Sequence, residues 1–118
     1  MDNETAIDIF AALAQRTRLD AFKLLVRHEP EGLAAGELAR HLEVPHNTLS
    51  AHLSVLSRAG LVVSQRQSRS IIYRASLDRM QETLAFLARD CCDGRPELCA
   101  PLLSPLQSED CPEPEDPS

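Results

Sequence analysis

Residues 45–75 read PHNTLSAHLSVLSRAGLVVSQRQSRSIIYRA. They hold four arginines (Arg58, Arg66, Arg69, Arg74), two histidines and no carboxylate, in a chain of formal net charge -6. An acid-free segment in an acidic protein is either a face kept clear for a polyanion or a solvated helix and hairpin that lacks acid by accident. Charge alone leaves the two even; the residue pattern separates them. Leu49, Leu53 and Leu56 recur at i, i+4 and i+7, the mark of one buried helical face. The opposite face carries Asn47, Thr48, Ser50, Ala51 and Ser54, with His46 and His52 at its edges. These side chains are short and, apart from the imidazoles, uncharged. Such a face suits a DNA major groove, where Asn pairs with adenine, Ser and Thr donate flexibly, and Ala meets a thymine methyl.

Upstream, Glu37–Leu42 (ELARHL) predicts a short helix, broken by Glu43, Val44 and Pro45. The next helix is expected to begin near His46 or Asn47, with Asn47 a candidate N-cap. Helix, tight turn and helix make a helix-turn-helix, whose second helix does the reading. Downstream, Ala59-Gly60 ends that helix, glycine supplying a left-handed cap. Leu61–Val63 and Ile71–Tyr73 flank a polar centre and predict a hairpin. Its tip, Gln65–Ser70, carries Arg66 and Arg69 on what is expected to be a mobile loop able to reach phosphates or a minor groove. Either arginine alone reads as a solubilising turn residue. Placed after a reading helix, the pair points to DNA.

NTLSAHLSVLSRAGLV, followed by a hairpin ending IIYRA, resembles the ArsR/SmtB-type winged helix-turn-helix repressors. The register extends from about Ile7 to Arg89, and Ala14-Gln15-Arg16-Thr17-Arg18-Leu19 is similar to that family's first inter-helix segment. The resemblance implies a mainly α fold with a small β-hairpin, and a homodimer joined through its first and last helices. It also implies that Leu33 pairs beside the wing. One departure is clear: the family often has glycine in the wing turn, where this chain has Gln67-Ser68.

Two helices are expected before the helix-turn-helix. Thr5–Ala14 has Ile7, Phe10, Ala11 and Ala14 on one stripe; Thr17–His28 has Leu19, Phe22, Leu25 and Val26 inward. His28 and His41 read as ordinary helix-end or surface residues. After the hairpin, Leu77 opens a helix in which Leu77, Met80, Leu84, Leu87 and Cys91 form a heptad-like seam. The seam faces either its own domain or a partner subunit, and the resemblance favours the partner. Each buried leucine would contribute roughly 1.5–3 kcal/mol. A two-fold dimer would place two reading helices about one DNA turn, ~34 Å, apart on a near-palindromic operator.

The 118 residues, without tryptophan and with three phenylalanines, suit one domain with an aliphatic core. That domain is expected over residues 1–92, followed by a Cys-containing loop and a disordered, acidic, proline-rich tail over 93–118. Six of the eight prolines and the acidic run EDCPEPEDPS lie there. Without that terminal run the chain has 12 basic and 13 acidic residues, so its low pI is no strong argument against DNA. No apolar run reaches the ~20 residues of a membrane helix, and MDNETAIDIF lacks a basic n-region. A cytoplasmic protein without membrane contact is expected, in which cysteines stay reduced. Nothing resembles a phosphate loop, a nucleophile–base pair or paired catalytic carboxylates, so no enzyme activity and no organic cofactor are expected.

Four cysteines then invite a metal or redox role. In CCDGRPELC, Cys91 and Cys92 end the seam helix, and Gly94 and Pro96 allow the chain to fold Cys99 back onto them. Three thiolates without histidine suit a trigonal thiophile, As(III) or Sb(III), better than tetrahedral zinc. Cys91 alone would pass for a small hydrophobe on the seam. Within the family, one arsenic site uses cysteines on the helix before the reading helix, but ELARHL has none. The zinc site on the last helix needs histidines, but none follows His52. What remains resembles members with a C-terminal Cys-Cys-loop-Cys arsenite site. The implied function is an arsenite-responsive repressor released from double-stranded operator DNA; the alternatives are a thiol redox or persulfide sensor, a methylarsenite-selective regulator, or a cadmium/lead sensor with the same DNA head.

Overall fold

The structure, a computed structural model, describes residues 1–91. Met1–Thr83 form one compact unit, and Leu84–Cys91 belong to a second. The order of elements is α1 (Asn3–Leu13), α2 (Arg16–Arg27), β1 (Leu33–Ala34), α3 (Ala35–Leu42), α4 (His46–Arg58), β2 (Val62–Gln67), β3 (Ser70–Ala75) and α5 (Leu77–Cys91). The mainly helical architecture with a small antiparallel sheet is the one the resemblance implied.

Local chemistry sets the helix ends. The Asp2 carboxylate accepts the Thr5 N–H at 2.9 Å and starts α1. The Gln15 Oε1 accepts the Arg18 N–H at 2.9 Å and starts α2. Both α3 and α4 finish in the same left-handed motif. After α3, Glu43 takes φ 57° while the Val44 N–H reaches back to the Ala39 carbonyl at 3.1 Å. After α4, Gly60 takes φ 80° and the Leu61 N–H reaches the Leu56 carbonyl at 3.0 Å. This is the Schellman arrangement, in which glycine is the unstrained residue and glutamate is not.

Asn47 does not cap α4. Pro45, extended at φ -62° and ψ 147°, occupies the N-cap position, and its carbonyl accepts the Leu49 N–H at 3.0 Å. Asn47 lies within the first turn, where its Oδ1 accepts the Thr48 N–H at 2.9 Å. The ring of Pro45 presets the dihedral that the helix entry needs; the cap lies two residues before Asn47, and α4 begins at His46, one of the two expected starts.

The core gathers Ile9 and Ala12 of α1, Phe22 and Leu25 of α2, Leu38 of α3, the α4 ladder Leu49, Leu53 and Leu56, and Leu61 and Val62 beyond it. In the sheet, β3 lies between β1 and β2, antiparallel to both. Leu33 pairs with Tyr73, as the resemblance implied. Gly32 permits that pairing: at φ 77°, a Cβ there would stand 2.5 Å from the Tyr73 carbonyl oxygen.

Three apolar stripes fall differently from their periodicity. On α1 the buried residues are Ala6, Ile9 and Ala12, whereas Ile7, Phe10, Ala11 and Ala14 are exposed. On α2 the inward face centres on Ala21, Phe22 and Leu25, which leaves Leu19 and Val26 exposed, about 100° round the helix from that centre. On α5, Met80 is partly buried against the core and Thr83 is buried, while Leu77 and Leu84 are exposed. The Thr83 hydroxyl is satisfied by donating to the Arg79 carbonyl at 2.8 Å.

Candidate nucleic-acid interface

The inner face of α4 is anchored by three leucines with essentially no exposure, so the orientation of the helix is set from beneath. Its outer face presents His46, Asn47, Thr48, Ser50, Ala51 and Ser54, all exposed. No carboxylate interrupts it. The three residues Glu43–Pro45 separate it from α3, which makes α3–turn–α4 a helix-turn-helix.

The hairpin is tighter than its composition suggests. Strand pairing continues to Gln67↔Ser70, leaving a two-residue turn, Ser68-Arg69. Ser68 takes the positive φ, 57°, that a tight hairpin demands at its first central position. The expected mobile tip from Gln65 to Ser70 is therefore mostly ladder. Arg66 stands on β2 opposite Ile71, and Arg69 sits in the turn; both are exposed.

The arginines divide by what holds them. Arg74, inside the acid-free segment, meets a carboxylate from outside it: Nη2 donates to Glu29 Oε1 at 2.7 Å and Nε to Oε2 at 3.4 Å. That charge-assisted hydrogen bond, with the attraction of the same carboxylate, raises the guanidinium pKa above its ordinary value. Arg74 thus fixes the wing base to the loop after α2. Arg18 is also committed: Nε donates to the Ala12 carbonyl at 2.6 Å, Nη2 to the Ala11 carbonyl at 3.5 Å, and Nη1 lies 3.3 Å from His52 Nδ1. Among the described residues no ion pair engages Arg16, Arg58, Arg66 or Arg69, and all four are exposed. Sequence separations of 45 and 34 residues hid both commitments, because no local period links such partners.

His28 and His41 do end their helices, with ring centroids 6.1 Å apart. Among the described residues no group of three or more His, Cys, Asp or Glu side chains is placed to hold a metal. Cys91 is the last residue of α5; Cys92 and Cys99, the other two expected ligands, lie outside the described residues, as does Cys111.

An exposed polar helix behind a three-residue turn, followed by a basic two-stranded wing, defines a winged helix-turn-helix, the class of DNA-binding regulators. The comparisons narrow the class. Residues 1–65 match the family model described as a helix-turn-helix domain. The chain is 31% identical over 89 residues to the transcriptional activator HlyU of Vibrio cholerae, covering 75% of this chain and 80% of that one. It superposes on an ArsR-like transcriptional regulator from Rhodococcus sp. RHA1 with a TM-score of 0.71 and 28% identity, covering 90% and 95% of the two chains. A solved structure described as a possible transcriptional regulator for arsenical resistance matches with a TM-score of 0.59 and 29% identity over 67% of this chain and 79% of that one. The chain belongs to the ArsR family of winged-helix transcriptional regulators. No described helix is long and apolar enough to cross a membrane.

Proposed function

We propose that the protein is a transcriptional repressor that binds operator DNA as a homodimer and is released when As(III) or Sb(III) is captured by Cys91, Cys92 and Cys99. The observation that carries the DNA half is the outer face of α4, exposed, short-chained and free of acid, with Arg66 and Arg69 on the adjacent wing. His46, Asn47, Thr48, Ser50, Ala51 and His52 read bases or position the helix, and the wing arginines meet phosphates or the minor groove. Dimerisation is supported by exposed Ile7 and Phe10 on α1 and by exposed Leu77 and Leu84 on α5, apolar side chains that a single chain leaves in water. The ligand half is supported by the Cys-Cys-loop-Cys spacing and by the similarity to the possible arsenical-resistance regulator.

In this scheme the apo dimer holds two reading helices at DNA spacing. Closure of Cys99 onto Cys91 and Cys92 reshapes the end of α5 and moves the dimer away from that spacing. A coupling of ~1–3 kcal/mol weakens DNA binding about 5–150-fold. The test is a DNA-binding titration with arsenite on wild type and on Cys91→Ser, Cys92→Ser and Cys99→Ser, with Cys111→Ser as control. Each of the three ligand variants should stay on DNA at arsenite levels that release wild type. Equal release by all would end the ligand assignment, and release by peroxide or persulfide in place of arsenite would transfer these cysteines to a redox role.

A further inference from the structure

The Arg18 guanidinium is turned to the carbonyls that end α1, and the side chain it meets there on α4, His52, is itself a base-reading candidate. Two of its nitrogens bond the Ala12 and Ala11 carbonyls at the end of α1, at 2.6 and 3.5 Å. The backbone N–H of Arg18 is held by Gln15 at 2.9 Å, so the residue is pinned at both ends. The remaining guanidinium nitrogen, Nη1, stands 3.3 Å from His52 Nδ1. Arginine has only donors. For that contact to be a hydrogen bond, Nδ1 must offer its lone pair, and the ring proton of neutral His52 must then reside on Nε2.

We propose that Arg18 is a positioning residue that holds His52 as the Nε2–H tautomer, so that His52 is a hydrogen-bond donor selecting an acceptor base edge at one position of each operator half-site. The inference rests on α4 being the DNA-reading helix. His52 is half-buried, on the edge of the exposed face, and so is oriented by one ring nitrogen while the other remains for a ligand. In the major groove guanine offers two adjacent acceptors, thymine and adenine one each, and cytosine only a donor. A fixed donor therefore favours guanine and rejects cytosine at the contacted position. A histidine free to exchange tautomers accepts from cytosine as readily as it donates to guanine, and the discrimination fades. Because the same guanidinium closes the carbonyl end of α1, the choice of tautomer is also tied to the helix whose outer face is apolar and exposed.

The experiment uses the full chain and has two readouts. Selection from a randomised DNA pool gives the base preference at each operator position for wild type, His52→Ala and Arg18→Met. Long-range proton–nitrogen NMR on the imidazoles reports which His52 nitrogen carries the proton. Wild type should show a protonated Nε2 and a symmetric pair of positions that disfavour cytosine. His52→Ala should flatten that pair of positions by about five- to tenfold in relative affinity while leaving the others unchanged. Arg18→Met should flatten the same pair and shift the His52 nitrogen signals towards a tautomer average. A proton found on Nδ1 in wild type overturns the proposal even if Arg18→Met fails to fold. So does His52→Ala with its base preferences intact, or Arg18→Met that loses stability and keeps both the preference and the tautomer. A wild-type chain that selects no DNA sequence at all overturns the DNA reading of α4 as well, which distinguishes the two failures.

Discussion

α1 and α4 are built alike and end differently. Each lays an apolar face on the same core, Ile9 and Ala12 from one, Leu49, Leu53 and Leu56 from the other. Outside, α4 shows amide, hydroxyl, methyl and imidazole groups, whereas α1 shows Ile7 at 62% exposure and Phe10 at 43%. The buried faces account for why each helix folds. The outer faces differ in the solvent they suit: a hydrated polyanion for α4 and another apolar surface for α1. Periodicity reports that a helix has an apolar stripe; only packing tells whether the stripe is the inside or a second, unsatisfied outside.

That contrast breaks first at α1. Ile7→Asp with Phe10→Asp should leave the helical circular dichroism of the chain nearly intact, since both side chains are already exposed. Sedimentation equilibrium should show dissociation of the proposed dimer, with roughly 1.5–3 kcal/mol lost per side chain and each counted twice by symmetry. Dimer affinity unchanged by both substitutions would remove α1 from the interface. The next largest effect tests the base of the wing. Gly32→Ala drives a Cβ to 2.5 Å from the Tyr73 carbonyl at a positive φ, and should cost about 2–3 kcal/mol in a denaturant melt. On the polar side of the comparison, Arg66→Gln and Arg69→Gln should weaken DNA binding without altering base preference. Each should reduce the slope of log affinity against log salt by about 1 if it meets a phosphate. A slope that does not move would make the arginine a solubilising residue of the wing.

Two smaller effects sharpen the helix boundaries. Glu43 occupies the position that Gly60 fills after α4, so Glu43→Gly should stabilise the fold by about 1 kcal/mol, read as a rise in the unfolding midpoint. The smallest effect is at Asp2. Its hydrogen bond from Thr5 lowers the carboxyl pKa, so its contribution is complete above the ordinary carboxylate range and fades as the pH falls through the lowered value. Asp2→Ala should therefore lower the melting midpoint slightly at neutral pH and hardly at all in strong acid.

Much of the fold was legible in the chain itself. The leucine ladder, Pro45 and Gly60 place α4 to within a residue, and the β-branched runs place the base of the wing, because each signal is local; the outer part of the wing, expected as a loop from Gln65 to Ser70, is ladder as far as Gln67. The α2 stripe was misjudged at Leu19 and Val26 because a 12-residue helix has room for one buried face, and Ala21 took its centre. Asn47 lost the cap to a proline whose dihedral suited the entry better. Of the candidate site, the polar outer face of α4 is exposed over His46, Asn47, Thr48, Ser50 and Ala51, with His52 half-buried at its edge, as the pattern puts it. The bonds from Arg18 to His52 and from Arg74 to Glu29 were not legible, since both join segments that only the core brings together.

The short wing turn has one more effect. A hairpin closed by Ser68 and Arg69 alone arrives already ordered, with six pairs from Val62↔Ala75 to Gln67↔Ser70. The conformational entropy of those residues is lost when the chain folds, not when it docks. Arg66 and Arg69 are thus carried on an ordered ladder and not a tether; on the proposed reading, the tilt that β1 and the core give it dictates where along a duplex they can land.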